Sequence, residues 1–186
     1  MARIVVVHDT RLAGDSPSGE LTIVRVDAQT SLSSLVQTIS NVSFMYGSEI
    51  RLRIMCHGYE DANGRGGYGL QLCRDDLKLA TVRQLQPWNG CLSYGITIYA
   101  CATADVAPGH QGQHGDGRML CSQIARVTGT GVRAADATQY YHNRTFLGLV
   151  SSPIDFGRWE GNVLEWDARG VLVGQEQTPE QSRLHG

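Results

Sequence analysis

The chain reads as an α/β protein, a three-layer sandwich with a mostly parallel central sheet, helices on both faces and a C-terminal β-hairpin. Three observations predict this class. Short apolar runs alternate with segments of helical period over the first 140 residues, the pattern of strand–helix units. In the strand at residues 4–8, Ile4-Val5-Val6-Val7 are apolar without interruption, as in a strand covered on both faces. Glycines and prolines mark the joints between the runs.

The elements follow in order. Residues 4–8 form the first strand. Residues 21–26 form a second, with Leu21, Ile23, Val24 and Val26 apolar among polar neighbours, after an exposed loop at 11–20 that carries Gly14, Pro17 and Gly19. Residues 31–46 place Leu32, Leu35, Val36, Ile39 and Val42 at helical spacing, with Thr30 or Ser31 to cap the start and Gly47 to end it. The strand at 50–56 leads to His57, and a glycine-rich exposed loop occupies 59–67. A short strand at 69–73 and a short helix at 81–86, stopped by Pro87, precede the strand at 95–100 that delivers Cys101. The segment 105–117 carries Pro108, His110, His114 and several glycines, a long irregular loop of the kind that faces ligands.

A helix at 118–128 aligns Met119, Leu120, Ile124 and Val127 and is closed by Gly129. Residues 131–137 form the last core strand. A hairpin follows at 156–173, with Trp159, Val163, Leu164 and Trp166 beside turns at 161–162 and 168–170, and the polar end frays. The expected organisation is one domain over 1–186, with a core at about 1–140 and a hairpin extension at about 156–174.

Composition excludes several classes. With 186 residues, 41% of them hydrophobic, the chain can bury a substantial core. The net charge is −2 and no basic stripe is present, which argues against a nucleic-acid partner. No apolar run approaches the roughly 20 residues of a bilayer span, so no membrane partner is expected. The N-terminal strand has no small-residue cleavage site, and a cytoplasmic protein is the expectation. Five cysteines (Cys56, Cys73, Cys91, Cys101 and Cys121) are odd in number, irregularly spaced and without a C-x-x-C pair. Reduced thiols are expected rather than a disulfide framework or a zinc ribbon.

The chemistry concentrates where two apolar strands end. One delivers His57-Gly58 and the other delivers Cys101, and parallel strands present functional groups at their carboxyl ends. A thiol beside an imidazole is the minimal apparatus of cysteine nucleophilic catalysis. The imidazole accepts the thiol proton and later returns it to a leaving amine. Gly58, without a side chain, lets its N–H approach a carbonyl, and with the Cys101 N–H it would make an oxyanion hole. The plainer alternative is that each residue packs as an ordinary core or structural group. Cys56 points to the opposite face from His57 and reads as core, as do Cys73, Cys91 and Cys121.

At these residues the chain resembles the caspase-like (clan CD) cysteine peptidases, a group that includes metacaspases, legumains, gingipains and clostripain. Cys101 follows His57 by 44 residues, near the caspase separation of about 50. Leu70-Gln71-Leu72, Leu77, Trp88, Tyr99-Ala100-Cys101 and Val127-Thr128-Gly129 resemble most the bacterial caspase-like domains of unknown function. The resemblance covers roughly residues 1–140. It departs at the cysteine, where Tyr99-Ala100-Cys101-Ala102-Thr103 replaces Gln-Ala-Cys-x-Gly, and it offers no basic pocket for an acidic P1 side chain.

The resemblance implies a cysteine endopeptidase acting on proteins or peptides. His57 would be base and acid, Cys101 the nucleophile, Gly58 and Cys101 the oxyanion donors, and no cofactor would be required. Asp9 and Asp136 would fall in the P1 pocket and favour cleavage after Arg or Lys. Two alternatives stand beside it. One is a catalytically silent caspase-like module that binds a partner protein through the same cleft. The other is a metal-binding hydrolase using His57, His110 or His114, with Asp105 and Asp116 near the loop histidines. Tyr140-Tyr141-His142 could contact substrate or pack at an edge.

Overall fold

The computed structural model describes residues 2–17, 22–141, 153–154 and 158–177. In chain order the strands are β1 (Arg3–Asp9), β2 (Thr22–Val26), β3 (Ile50–Met55), β4 (His57–Tyr59), β5 (Gly69–Gln71), β6 (Ile96–Tyr99), β7 (Val132–Ala135), β8 (Asn162–Trp166) and β9 (Leu172–Gln177). The helices are α1 (Leu32–Tyr46) and α2 (Gly117–Thr128), with a 3₁₀ helix at Val82–Trp88. Seven strands form one sheet in the order β2-β1-β3-β6-β7-β8-β9. The first five are mutually parallel, and β8 and β9 close the edge as an antiparallel hairpin. The expected mostly parallel α/β sheet with a C-terminal hairpin is what forms. β4 and β5 make a separate antiparallel ribbon at the exit of β3.

The period of two along each strand sorts the core into two layers. One face carries Val5, Val7, Leu52, Ile54, Ile96, Ile98 and Leu164, packed in a single cluster with Leu35 and Ile39 of α1, Leu120 and Ile124 of α2, and Trp88. The other carries Val6, Met55, Tyr99, Ala135 and Val163, covered by Leu12, Ile154 and Trp159. Among the described residues the helices therefore lie on one side of the sheet and irregular chain covers the other. Tyr99 and Trp159 stack there with ring centres 5.0 Å apart.

Capping explains the helix ends. Ser31 accepts the Ser34 N–H and Asp116 accepts the Met119 N–H, each supplying an acceptor for an otherwise unpaired donor. Gly47 and Gly129 end the helices at φ +81° and +64°, where a side chain is disfavoured. The helix expected to stop before Pro87 runs through it as a 3₁₀ turn. The fully buried Trp88 donates its indole N–H to the Val36 carbonyl at 3.1 Å, and that anchor carries the turn past the proline. The strand expected at 69–73 stops at Gln71, because Cys73 takes a left-handed φ of +60°.

All five cysteines are free. No helix among the described residues is long and apolar enough to cross a membrane. Leu21, His142 and the beginning of the expected hairpin at 156–157 lie outside the described residues.

Candidate functional site

β3 and β6 are adjacent and parallel, with Met55 opposite Tyr99. Two residues further on, the same register brings His57 and Cys101 out at one sheet edge. The chain then diverges: β3 passes through Cys56 into the β4–β5 ribbon, while β6 turns at Ala102. Gly58 lies directly against the cysteine backbone. A Cβ at position 58 would overlap the Cys101 carbonyl oxygen and sit 2.9 Å from its carbonyl carbon and 3.0 Å from its nitrogen. Only glycine permits that approach, and it brings the Gly58 backbone near enough to the Cys101 sulfur to favour its thiolate.

His57 and Cys101 are each held by a main-chain carbonyl. His57 Nε2 lies 3.2 Å from the Arg11 carbonyl oxygen. A carbonyl only accepts, so this contact places a proton on Nε2 and leaves Nδ1 as the basic nitrogen of the neutral ring. Cys101 Sγ donates to the Gln139 carbonyl at 3.5 Å, a bond that only the neutral thiol can make. No hydrogen bond joins His57 to Cys101 in this arrangement. Burial raises the Cys101 thiol above the ordinary cysteine range, and the nearby carboxylates of Glu60 and Glu160 push it the same way. The Gln139 backbone and, less strongly, the Gly58 backbone work in the opposite direction.

The backbone after Cys101 is constrained. Ala102 adopts φ +42°, a left-handed conformation that costs a non-glycine residue of order 1–3 kcal/mol. It is kept there by donation of its N–H to the Ala137 carbonyl at 2.9 Å, while Ala104 bonds Ala135 at 2.8 Å. Gly67 and Gly117 close over the next residue: a Cβ on Gly67 would approach the Thr103 carbonyl oxygen to 2.5 Å, and one on Gly117 would collide with it.

Asp9 is fully buried, and its partners lie within the protein. It accepts from the Arg11 backbone N–H (3.1 Å), Arg11 Nε (2.8 Å), Arg11 Nη2 (2.6 Å) and the Cys73 N–H (2.9 Å). Arg11 Nη2 also reaches the Cys73 carbonyl at 2.7 Å. In this arrangement Asp9 fixes Arg11, whose carbonyl orients His57, so it stands behind the imidazole. Asp136, at the end of β7, accepts the Asn162 N–H at 2.7 Å and the Asn162 side-chain amide at 2.9 Å, and so ties β7 to β8. The half-buried carboxylates close enough to act on the Cys101 sulfur are Glu60 and Glu160. Thr138 donates to Glu60 at 2.7 Å, and the Tyr140 N–H reaches Glu160 at 3.2 Å.

Sequence reasoning missed Arg11, Gln139, Glu60 and Glu160. Arg11 and Gln139 meet His57 and Cys101 through main-chain carbonyls, which no residue type advertises. Glu60, three residues after His57, was readable only as part of a loop.

The loop histidines do other work. His110 Nδ1 bonds the His114 carbonyl at 2.6 Å, and Tyr68 meets both rings edge-on. Asp116 caps α2 and accepts the Gly112 N–H at 2.8 Å, while Asp105 accepts the Gly66 N–H at 2.7 Å. Among the described residues, no three His, Cys, Asp or Glu side chains converge as a cation site. Tyr141 packs against the second core layer and Tyr140 is exposed.

No protein-family model matches the chain, and no curated protein matches it.

Proposed function

We propose that the chain is a cysteine endopeptidase of the caspase-like kind, with Cys101 as nucleophile and His57 as general base and acid. The contact of the Gly58 backbone with Cys101, at the end of paired parallel strands, carries this reading. It sets the main chain that follows the imidazole directly against the residue that carries the thiol. Substrate binding would draw Cys101 Sγ from the Gln139 carbonyl toward the scissile carbonyl. The thiol proton passes to His57 Nδ1 as sulfur bonds to the carbonyl carbon. The Gly58 and Cys101 N–H groups receive the developing oxyanion. His57 then protonates the departing amine as the C–N bond breaks, and water, deprotonated by the same ring, hydrolyses the thioester.

A preference for Arg or Lys at P1 is supported by Glu60 and Glu160, which set a negative field at the cysteine. Asp9 is committed to Arg11. A cytoplasmic location suits five unpaired thiols, since reducing compartments keep them so.

A peptidyl acyloxymethyl ketone series with Lys, Arg, Leu or Asp at P1 tests the proposal. Labelling is expected at Cys101, fastest for the basic probes, and lost in Cys101→Ala and His57→Ala. The second reading, a silent module that binds a partner through this cleft, draws on the thiol's pairing with Gln139 rather than His57. Labelling of other cysteines with Cys101 untouched would favour it and sink the enzyme.

A further inference from the structure

The sheet face not covered by helices carries a polar cluster built from residues other than the thiol and the imidazole. Register aligns Arg53, Thr97, Arg133 and Glu165 in one row across β3, β6, β7 and β8. With strands about 4.8 Å apart, the two arginines stand roughly 10 Å apart with the threonine hydroxyl between them. In the neighbouring row, Gly95 and Gly131 present no side chains, and the face opens into a cavity of about 270 Å³. Arg51 and Tyr94 border it, with Trp159 as the apolar wall.

Arg53 is the unusual member. It is only 4% exposed, and its Nη1 is buried with no hydrogen-bond partner. A buried guanidinium nitrogen without an acceptor is strongly disfavoured unless an anion satisfies it. Arg133 donates Nη2 to Glu176 at 2.6 Å and has Glu165 at ion-pair distance, 3.1 Å from its Nε, with no hydrogen bond there. Three arginines against these two carboxylates leave a surplus of one positive charge. The volume lies just below the usual range for ligand pockets, enough for a single-ring body.

The geometry points to a binding site for a small monocarboxylate with a flat apolar body. Its carboxylate meets Arg53 Nη1, with Thr97 beside it, and its ring lies between the tyrosine and tryptophan walls. A guanidinium and a carboxylate match in shape and charge, and a dianion would meet repulsion from Glu165.

Titrations of the full chain, followed by tryptophan fluorescence and calorimetry, test this with benzoate, benzamide and phenyl phosphate. Benzoate is expected to bind saturably with a Kd of about 1 mM or tighter, and benzamide at least tenfold more weakly. Arg53→Met is expected to lose benzoate binding by tenfold or more while melting no lower than the parent, because it replaces a buried unpaired cation with an apolar chain. Arg51→Gln, at an exposed position that leaves the fold intact, is expected to weaken benzoate several-fold. Equal binding of benzoate and benzamide, unchanged binding in Arg53→Met, or no saturation would overturn the site. Tighter binding of phenyl phosphate than benzoate would overturn its assignment to a monocarboxylate.

Discussion

Cys101 rests as a neutral thiol, because burial and the Glu60 and Glu160 carboxylates disfavour its thiolate. Its alkylation by iodoacetamide should therefore rise with pH to a midpoint above the ordinary cysteine value of ~8.5. Replacing both glutamates by glutamine should move that midpoint down, read from rates across pH 6–11 with mass spectrometry to assign the site. The same double variant should reduce any preference for basic P1 probes. Gly58 gives a sharper test at this scale. Gly58→Ala would drive a methyl group into the Cys101 carbonyl oxygen, so activity should fall by about two orders of magnitude or more, in line with loss of an oxyanion donor. His57, Gly58 and Cys101 were legible in the sequence because residue type and strand position together announce them. Their orienting carbonyls, at Arg11 and Gln139, were not.

At the scale of elements, the β1 exit holds the imidazole through the Asp9–Arg11 pair. Breaking a buried pair by removing one partner leaves an uncompensated charge, at about 3–5 kcal/mol. Arg11→Met, which strands the fully buried Asp9, should destabilise the protein by about 3 kcal/mol in urea. It should also lower kcat more than it raises KM, since the Arg11 carbonyl orients His57 without touching substrate. The cap residues are simpler: Ser31→Ala or Asp116→Ala should each cost ~1 kcal/mol. Both helices and their glycine stops were visible as 3.6-residue periods and terminal signals. β4 was not, although its partner strand was expected, because three residues, His57-Gly58-Tyr59, carry no period and form a strand only through pairing with Gly69–Gln71. The 3₁₀ turn through Pro87 was hidden for a related reason: its anchor, Val36, lies on α1.

Across the whole molecule, both core layers share one sheet, so unfolding should be a single cooperative event. Far-UV circular dichroism and tryptophan fluorescence should give coincident urea transitions, with Trp88 and Trp166 in one layer and Trp159 in the other. Separate transitions would show two folding units. Stability should also fall in alkali. Burial pushes the Cys73 thiol up to about 12 and raises Cys56 and Cys121 as well. A thiol whose folded pKa exceeds its unfolded value stabilises fully below the unfolded value near ~8.5 and loses that contribution as pH rises toward the folded value. Melts between pH 8 and 12 should therefore show a progressive loss, shallower in Cys73→Ala.

What the sequence by itself determined is local and periodic. Alternation, helical spacing, caps and turn residues were enough for the α/β class, most elements and the emergence of a histidine and a cysteine at strand ends, because each is written within a few consecutive residues. The tertiary structure decided which groups those residues meet. It turned Asp9 inward onto Arg11, brought Glu60 and Glu160 to the sulfur, and left Arg53 unpaired beside an open stretch of sheet. The Asp9–Arg11 pair is local, but the contacts at the sulfur and around Arg53 depend on strand order and register between residues about 40 to 80 positions apart, and a chain read along its length holds no direct record of them.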